Sequence, residues 1–349
     1  MTSTLVWPSA RELRALCAWL HFEKPKRPLT HQALHSVTRL ADLALPSCPP
    51  HAALQALRRT VLEWRRRPKA SLLLFHDAAY PPLLREIAHP PLALFVEGQV
   101  ESLHHPIVAV VGSRAASSES VDWTRDFAAD LVRAGLTVAS GQARGIDAAA
   151  HRGALDAAGA TLAVLGTGTD VVYPPEHVEL QDDIQRYGCV VSEFLPGTQP
   201  LAWHFPRRNR ILAGLSKAVV VVQAEMRSGA LSTAHHALSE NREVLAVPGC
   251  VTDPRSRGTH ELLRQGATLV EAAPDVFQAL GWTPQGDARS SAAELLAQLS
   301  RPRDVGALHR ALGWDVAAFQ RVLAELELSG WIEHDPRGRV RRALRPRNA

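Results

Sequence analysis

Residues 107–114 read Ile-Val-Ala-Val-Val-Gly-Ser-Arg, a short apolar run that breaks into glycine, serine and arginine. Five β-branched or small apolar residues in a row suit a strand buried on both faces. The same pattern recurs downstream. Runs at Leu136–Ala139, Thr161–Leu165, Cys189–Val191, Ala218–Val222 and Glu243–Val247 read as further buried strands. Segments of helical length separate them, at 119–134, 147–158, 176–187, 205–214 and 230–241. Strand and helix in alternation predict an α/β core, a Rossmann-like parallel sheet with helices on both faces and right-handed crossovers.

Outward from this core, residues 9–67 carry apolar residues at helical spacing: Leu13, Leu16, Ala18 and Leu20, then Leu54, Leu57, Val61 and Leu62. Prolines 28, 46, 49 and 50 cut the region into short helices. A small N-terminal helical domain is expected over 1–68, of the helix-hairpin or SAM-like kind. It ends in Arg65-Arg66-Arg67-Pro68, read as a solvated linker or, alternatively, a DNA contact. The core is expected over 69–283, entered through two strand-like runs at Leu72–Phe75 and Leu92–Val96. Beyond a linker at Pro284, Gly286 and Asp287, residues 290–345 outline a C-terminal winged helix. Its helices fall near 292–299, 304–311 and 316–329. A Ser329-Gly330 turn, a strand at 331–333, a hairpin at 335–338 and a strand at 339–341 follow.

Composition narrows the function classes. The 349 residues are 46% hydrophobic and 21% charged, enough to bury several cores. No apolar run approaches a membrane span, and the first residues lack the basic-then-apolar order of a secretion signal. Cys17, Cys48, Cys189 and Cys250 are scattered, with neither a disulfide framework nor zinc spacing. A cytoplasmic protein is expected. The net charge is only +4, and much of the excess sits in Arg337, Arg339, Arg341, Arg342, Arg345 and Arg347. Any nucleic-acid site must therefore be a local patch.

The strand ends supply a candidate patch. In an open parallel sheet, ligands sit outside the carboxyl ends of the strands. Here those ends carry Gly112-Ser113-Arg114, Ser140-Gly141-Gln142-Ala143-Arg144-Gly145-Ile146-Asp147, Gly166-Thr167-Gly168-Thr169-Asp170 and Arg227-Ser228-Gly229. Glycine lets several N–H groups converge, and the helix that follows adds partial positive charge, so such loops hold phosphate. Gly166-Thr167-Gly168 lacks the third glycine of a dinucleotide fingerprint, and no Walker loop exists, so no nucleotide cofactor is called for. His204-Phe205-Pro206-Arg207-Arg208-Asn209-Arg210 adds charge and an aromatic platform at a helix start, a combination suited to single strands. The alternative is that these arginines answer an internal Asp or Glu.

Other constellations carry less. His104-His105 and His235-His236 lack metal-ligand spacing, so no metal is expected. Ser192-Glu193 and Ser232 have no nucleophile elbow around them. Asp147 reads as a helix cap or a partner of Arg144. The third helix of the winged unit carries Arg321 but also Glu325 and Glu327, which favours a protein-contact or accessory role over groove reading.

Gly112-Ser113-Arg114, the run Ser140–His151, the run Pro206–Ser216, Ser228-Gly229 leading to Thr233-Ala234, and Val247-Pro248-Gly249 resemble, in order and spacing, the DprA/Smf family of DNA-processing proteins. The resemblance covers about 70–285, with the family's usual winged helix behind it. It implies an extended Rossmann fold, binding of single-stranded DNA without catalysis, and a homodimer formed through the Rossmann-like domain. It further implies protection of incoming strands and loading of the RecA recombinase in natural transformation. On the matching positions, Arg114, Arg207, Arg208 and Arg210 would hold phosphates and Phe205 would stack a base. Ser113, Gly141 and Arg144 would line the pocket, with Gly112, Asn209, Ser228 and Gly229 beside them. Two positions depart: Gln142 stands where the family has a leucine-like residue, and His260 where it commonly has asparagine. The rival readings are a nucleotide phosphoribohydrolase and a nucleotide-sensing Rossmann protein. The first loses ground because the run Ser228–His236 holds no acid.

Overall fold

The computed structural model describes residues 8–22, 31–43, 50–284, 295–299, 301–328, 331–335 and 338–342. Cys48, Gly286, Asp287, the Ser329-Gly330 turn, Pro336, Arg337, Arg345 and Arg347 lie outside the described residues.

The first of two compact units reaches Trp282. Its centre is a nine-stranded sheet in the order β1-β2-β6-β5-β4-β3-β7-β8-β9. The strands are β1 Ala70–Leu74, β2 Ala93–Gly98, β3 Ile107–Val111, β4 Thr137–Ser140, β5 Thr161–Val164, β6 Cys189–Ser192, β7 Ala218–Val221, β8 Glu243–Ala246 and β9 Thr268–Leu269. The six expected core strands are all present and all parallel, with ends shifted by a residue at most. The two entry runs do not continue that parallel order. β1 and β2 form an antiparallel ribbon that pairs onto β6. The two-residue β9, which carried no sequence signal, closes the opposite edge.

Period-two alternation explains the layers. Ile107, Ala109 and Val111 of β3 pack into one core and Val108 and Val110 into another. Helices α5 (Ser118–Arg133), α6 (Ile146–Asp156) and α7 (Val178–Tyr187) cover one face, and α8 (His204–Leu215) and α9 (Gly229–Ser239) the other. α10 (Arg257–Arg264) and α11 (Ala273–Leu280) follow β8 and β9.

The N-terminal helices α1 (Ala10–Phe22), α2 (His31–His35) and α3 (His51–Trp64), followed by the short α4 (Pro82–Arg85), share one hydrophobic core with β1 and β2. The expected 1–68 domain is thus continuous with the sheet edge. Trp64 packs edge-on against Phe95 at 5.2 Å. Its indole N–H reaches the buried carboxylate of Glu97 at 2.7 Å, which also accepts from Thr169 at 2.7 Å and Arg67 at 2.9 Å. Arg67, read as linker, is therefore a tie between α3 and the sheet.

The second unit begins at Thr283. Residues 295–297 are helical, followed by α12 (Val305–Leu312) and α13 (Val316–Leu328), then the antiparallel pair β10 (Ile332–His334) and β11 (Val340–Arg342). Leu295, Leu308, Phe319, Val322, Ile332 and Val340 fill its own core. Asp304 caps α12 by accepting from the Ala307 amide at 3.1 Å, and Gly313 ends it in the left-handed region. This is the winged-helix outline.

Candidate nucleic-acid interface

The strand order reverses at β3. From there the chain runs outward through β4, β5 and β6, then returns to place β7 on the other side of β3. Such a switch point leaves a crevice above the two strands. A cleft of about 740 Å³ opens there. Gly112, Ser113 and Arg114 line it from the loop after β3, and Arg227, Ser228 and Gly229 from the loop after β7. Phe205, Arg208 and Asn209 enter from α8, Ala143 from the loop after β4 and Asp147 from the first turn of α6. The N-termini of α8 and α9 both meet the cleft, and Ser228 caps α9 through a bond from the Leu231 amide.

The five cations divide into two kinds. Arg114 and Arg227 are exposed, and among the described residues neither has an ion pair. Arg114 instead lies over the Phe205 ring, 5.5 Å from its centroid. The three arginines of α8 face inward. Arg207 and Arg210 converge on Glu193, which is 3% exposed: Arg207 Nε donates to its Oε1 at 3.0 Å and Arg210 Nη2 to its Oε2. Arg210 also donates to the His89 carbonyl at 2.8 Å. The structure gives Arg207 and Arg210 the internal-acid role that the sequence left open. Neither lines the cleft.

Arg208 is a strut beneath the rim. Its Nη1 donates to the Gly141 carbonyl at 2.8 Å and to the Val164 carbonyl, and its Nε to Asn209 Oδ1 at 3.2 Å. Asn209 in turn donates to the Gly229 carbonyl at 3.2 Å. One turn of α8 therefore pins the loops after β4 and β7. Burial lowers the Arg208 pKa to about 10, opposed by the neighbouring Asp147 charge, so the group stays protonated at neutral pH. Burial also raises the Asp147 pKa, against the pull of Arg208 and of a hydrogen bond from the Ala143 N–H. Asp147 accepts from the Gly141 and Ala143 amides at 3.2 and 3.3 Å. It shapes its own loop and does not pair with Arg144, whose partner is Glu176.

Glycine is required at two of these turns. A methyl on Gly141 would stand 2.4 Å from the Arg208 guanidinium, and Gly145 has φ +72° with the Ser113 carbonyl 2.3 Å from the Cβ position. Gln142 occupies a left-handed position (φ 57°) between them. Its amide donates to Gln181 Oε1 at 2.9 Å, a polar anchor that a leucine could not provide. His260 bonds the Gly249 carbonyl at 3.1 Å, so the second departure also keeps a polar contact.

Tyr173 and Glu225 line the cleft and Glu193 holds two arginines, none of them among the residues expected at the site. Glu193 was findable: three arginines at the positive end of a helix require an anion. Ser192 is a buried structural hydroxyl, donating to the Thr167 carbonyl at 2.6 Å. Among the described residues no group of three or more His, Cys, Asp or Glu could hold a metal ion, and no helix is long and apolar enough to cross a membrane.

A doubly wound sheet with a phosphate-suited cleft at its switch point, followed by a winged helix, defines the class. The family model for DNA recombination-mediator protein A matches residues 71–281, and that for the DprA winged helix domain matches 283–338. Protein Smf of Escherichia coli K12 is 42% identical over 297 residues, spanning 80% of this chain and 79% of that one. The DNA processing protein DprA of Streptococcus pneumoniae R6 is 46% identical over 215 residues, 62% of this chain and 75% of that one. A crystal structure of the S. pneumoniae protein superposes with a TM-score of 0.60 at 36% identity, covering 79% of this chain and 94% of that one. A solved structure of DprA from Helicobacter pylori, studied for its single-stranded DNA binding mode, superposes with a TM-score of 0.56 at 27% identity, covering 61% of this chain and 96% of that one. The chain belongs to the DprA/Smf family.

Proposed function

We propose that this chain is a recombination mediator that binds single-stranded DNA in the switch-point cleft and performs no covalent chemistry. The observation that carries the reading is the pair of exposed arginines, Arg114 and Arg227, at the mouth of a cleft that also holds two helix N-termini and an aromatic ring. Free cations at such a mouth match phosphates, and aromatic rings match unstacked bases. The single-stranded DNA binding of the H. pylori relative supports the same ligand. Of the expected set, Gly112, Ser113, Arg114, Phe205, Arg208, Asn209, Ser228 and Gly229 line the cleft. Gly141 and Arg144 border a smaller hollow beside it. In this reading the protein acts in the cytoplasm as a homodimer joined through the Rossmann-like domain, and passes incoming strands to a RecA-type recombinase during natural transformation.

The hydrolase alternative has one observation in its favour: Asp147 and Glu225 put two carboxylates on the cleft wall. Asp147, however, is engaged by two amides and faces Arg208. Fluorescence anisotropy of a labelled thymine oligomer tests the reading. Binding should prefer the single strand over duplex, weaken with salt by a slope of about −0.7 per neutralised phosphate, and fall in Arg114→Ala/Arg227→Ala. Release of free base from nucleoside monophosphates, with no oligomer binding, would establish the alternative.

A further inference from the structure

Phe205 is the ring that the sequence singles out for stacking, yet the structure shelters it. One edge of the ring lies against Gly166, where a Cβ would stand 2.9 Å from Cδ1. The Arg114 guanidinium lies over it, and Tyr173 packs beside it with centroids 5.4 Å apart at 39°. Phe205 is half-buried as a result. Tyr173 is 37% exposed and lines the same cleft. The two rings touch, so no base enters between them.

A second, smaller hollow of about 60 Å³ adjoins Tyr173. Arg114, Arg144 and Arg208 border it together with Tyr173, Pro174 and Phe205. Three arginines around a space of this size suit one phosphate: Arg114 has no ion pair among the described residues, while Arg144, held by Glu176, and Arg208, held by backbone carbonyls, add positive charge beside it. The ring that water reaches therefore borders the cationic hollow itself.

We infer that Tyr173 is the base-stacking residue of the cleft, that Phe205 is its support, and that the adjoining arginine-lined hollow receives the phosphate of the same nucleotide. This rests on the single-strand reading above and refines it. The ring supplies affinity without charge, while Arg114 supplies the salt dependence. Stacking is tolerant of base identity, because every base has a face.

The test uses the full chain, a labelled thymine oligomer and a matching oligomer of abasic sites. Tyr173→Ala should weaken thymine-oligomer binding about 5- to 150-fold, the range for one lost stacking partner. Its salt slope should stay that of the unaltered protein, and Tyr173→Phe should restore the affinity. The abasic oligomer should bind Tyr173→Ala and the unaltered protein alike. Phe205→Leu, which keeps an apolar support, should cost less than Tyr173→Ala. Tyr173→Ala binding as tightly as the unaltered protein, while Arg114→Ala binds weakly, would overturn the stacking role and leave the DNA reading intact. Equal losses on thymine and abasic oligomers would also overturn it. Oligomer binding unchanged in both Tyr173→Ala and Arg114→Ala would remove the cleft itself as the DNA site.

Discussion

The loops after β3 and β7 and the first turn of α8 carry the same side chain to opposite ends. Arg114 and Arg227 stand in solvent at the cleft mouth without an ion pair among the described residues. Arg207, Arg208 and Arg210 lie inward, held by Glu193 and by backbone carbonyls. An exposed arginine keeps its hydration until a phosphate replaces it. A buried one must have its partners built in, because an unpaired buried charge costs several kcal/mol. The richest arginine cluster in the sequence is therefore chiefly architecture, and the sparser loop arginines are the ones free to meet a ligand.

Glu193 is where the inward arginines depend most on the fold. Glu193→Ala leaves Arg207 and Arg210 partly buried without their carboxylate, and should destabilise the chain by about 3–5 kcal/mol. Urea denaturation followed by circular dichroism measures it. A variant that keeps its stability and gains DNA affinity would show that these arginines serve the ligand after all. At the exposed pole, Arg114→Ala should leave stability within about 0.5 kcal/mol, since among the described residues its exposed side chain has no ion pair and lies over the Phe205 ring. It should reduce oligomer affinity by about 1.5–3 kcal/mol, the value of a charge-assisted hydrogen bond. The salt slope should shrink by about 0.7. Anisotropy titrations at several salt concentrations give both numbers.

This division explains how far the sequence could be read. The run Ile107–Val111 and its successors announced parallel strands because a doubly buried strand needs an unbroken apolar run. The four glycine-rich loops announced the rim for an equally local reason. Arg207 and Arg210 were ambiguous because their partner, Glu193, sits 14 and 17 residues away across a loop. Tyr173 lies in a loop with no periodicity to mark it, and only the arrival of α8 from beyond β6 brings Phe205 to its side. The antiparallel β1–β2 ribbon was legible as two strands but not in its pairing, since register depends on contacts that the local pattern does not contain.

A smaller effect separates the layer beneath the rim from the rim itself. His151 of α6 is fully buried, and burial lowers its pKa to about 3. Thr161 Oγ1 donates to the Val138 carbonyl at 2.8 Å, so it accepts from His151 Nδ1 at 2.7 Å and fixes the proton on that nitrogen. Among the described residues His151 Nε2 has no hydrogen-bond partner. The unfolded chain takes up a proton near pH 6.5 and the folded one only near pH 3. The unfolded state therefore binds more protons across that window, and stability falls as pH drops through it. His151 should contribute a loss approaching about 1.4 kcal/mol per pH unit below pH 6. Denaturation midpoints between pH 7 and 5 should show it, and His151→Gln should flatten that part of the profile. An unchanged profile in the variant would place the titrating group elsewhere.

The smallest effect is expected at Arg144, which belongs to neither pole. It is exposed, like Arg114, but paired with Glu176 on the surface. The hydrogen bond from Arg144 holds the Glu176 carboxyl below its ordinary range. Both partners are open to water, so the pair adds little to stability. Its consequence is for the ligand. A phosphate entering the hollow beside Tyr173 competes with Glu176 for one guanidinium and meets a like charge as it arrives. Glu176→Gln removes both obstacles and leaves a side chain of the same size. The variant should denature at the same urea concentration as the unaltered protein, bind the thymine oligomer more tightly, and steepen the salt slope by up to about 0.7 as Arg144 joins the phosphate contacts. Tighter binding with an unchanged slope would mean that Glu176 acts only by repulsion at a distance. Weaker binding would mean that the pair positions Arg144 for the phosphate, which would move it to the architectural side with Arg208.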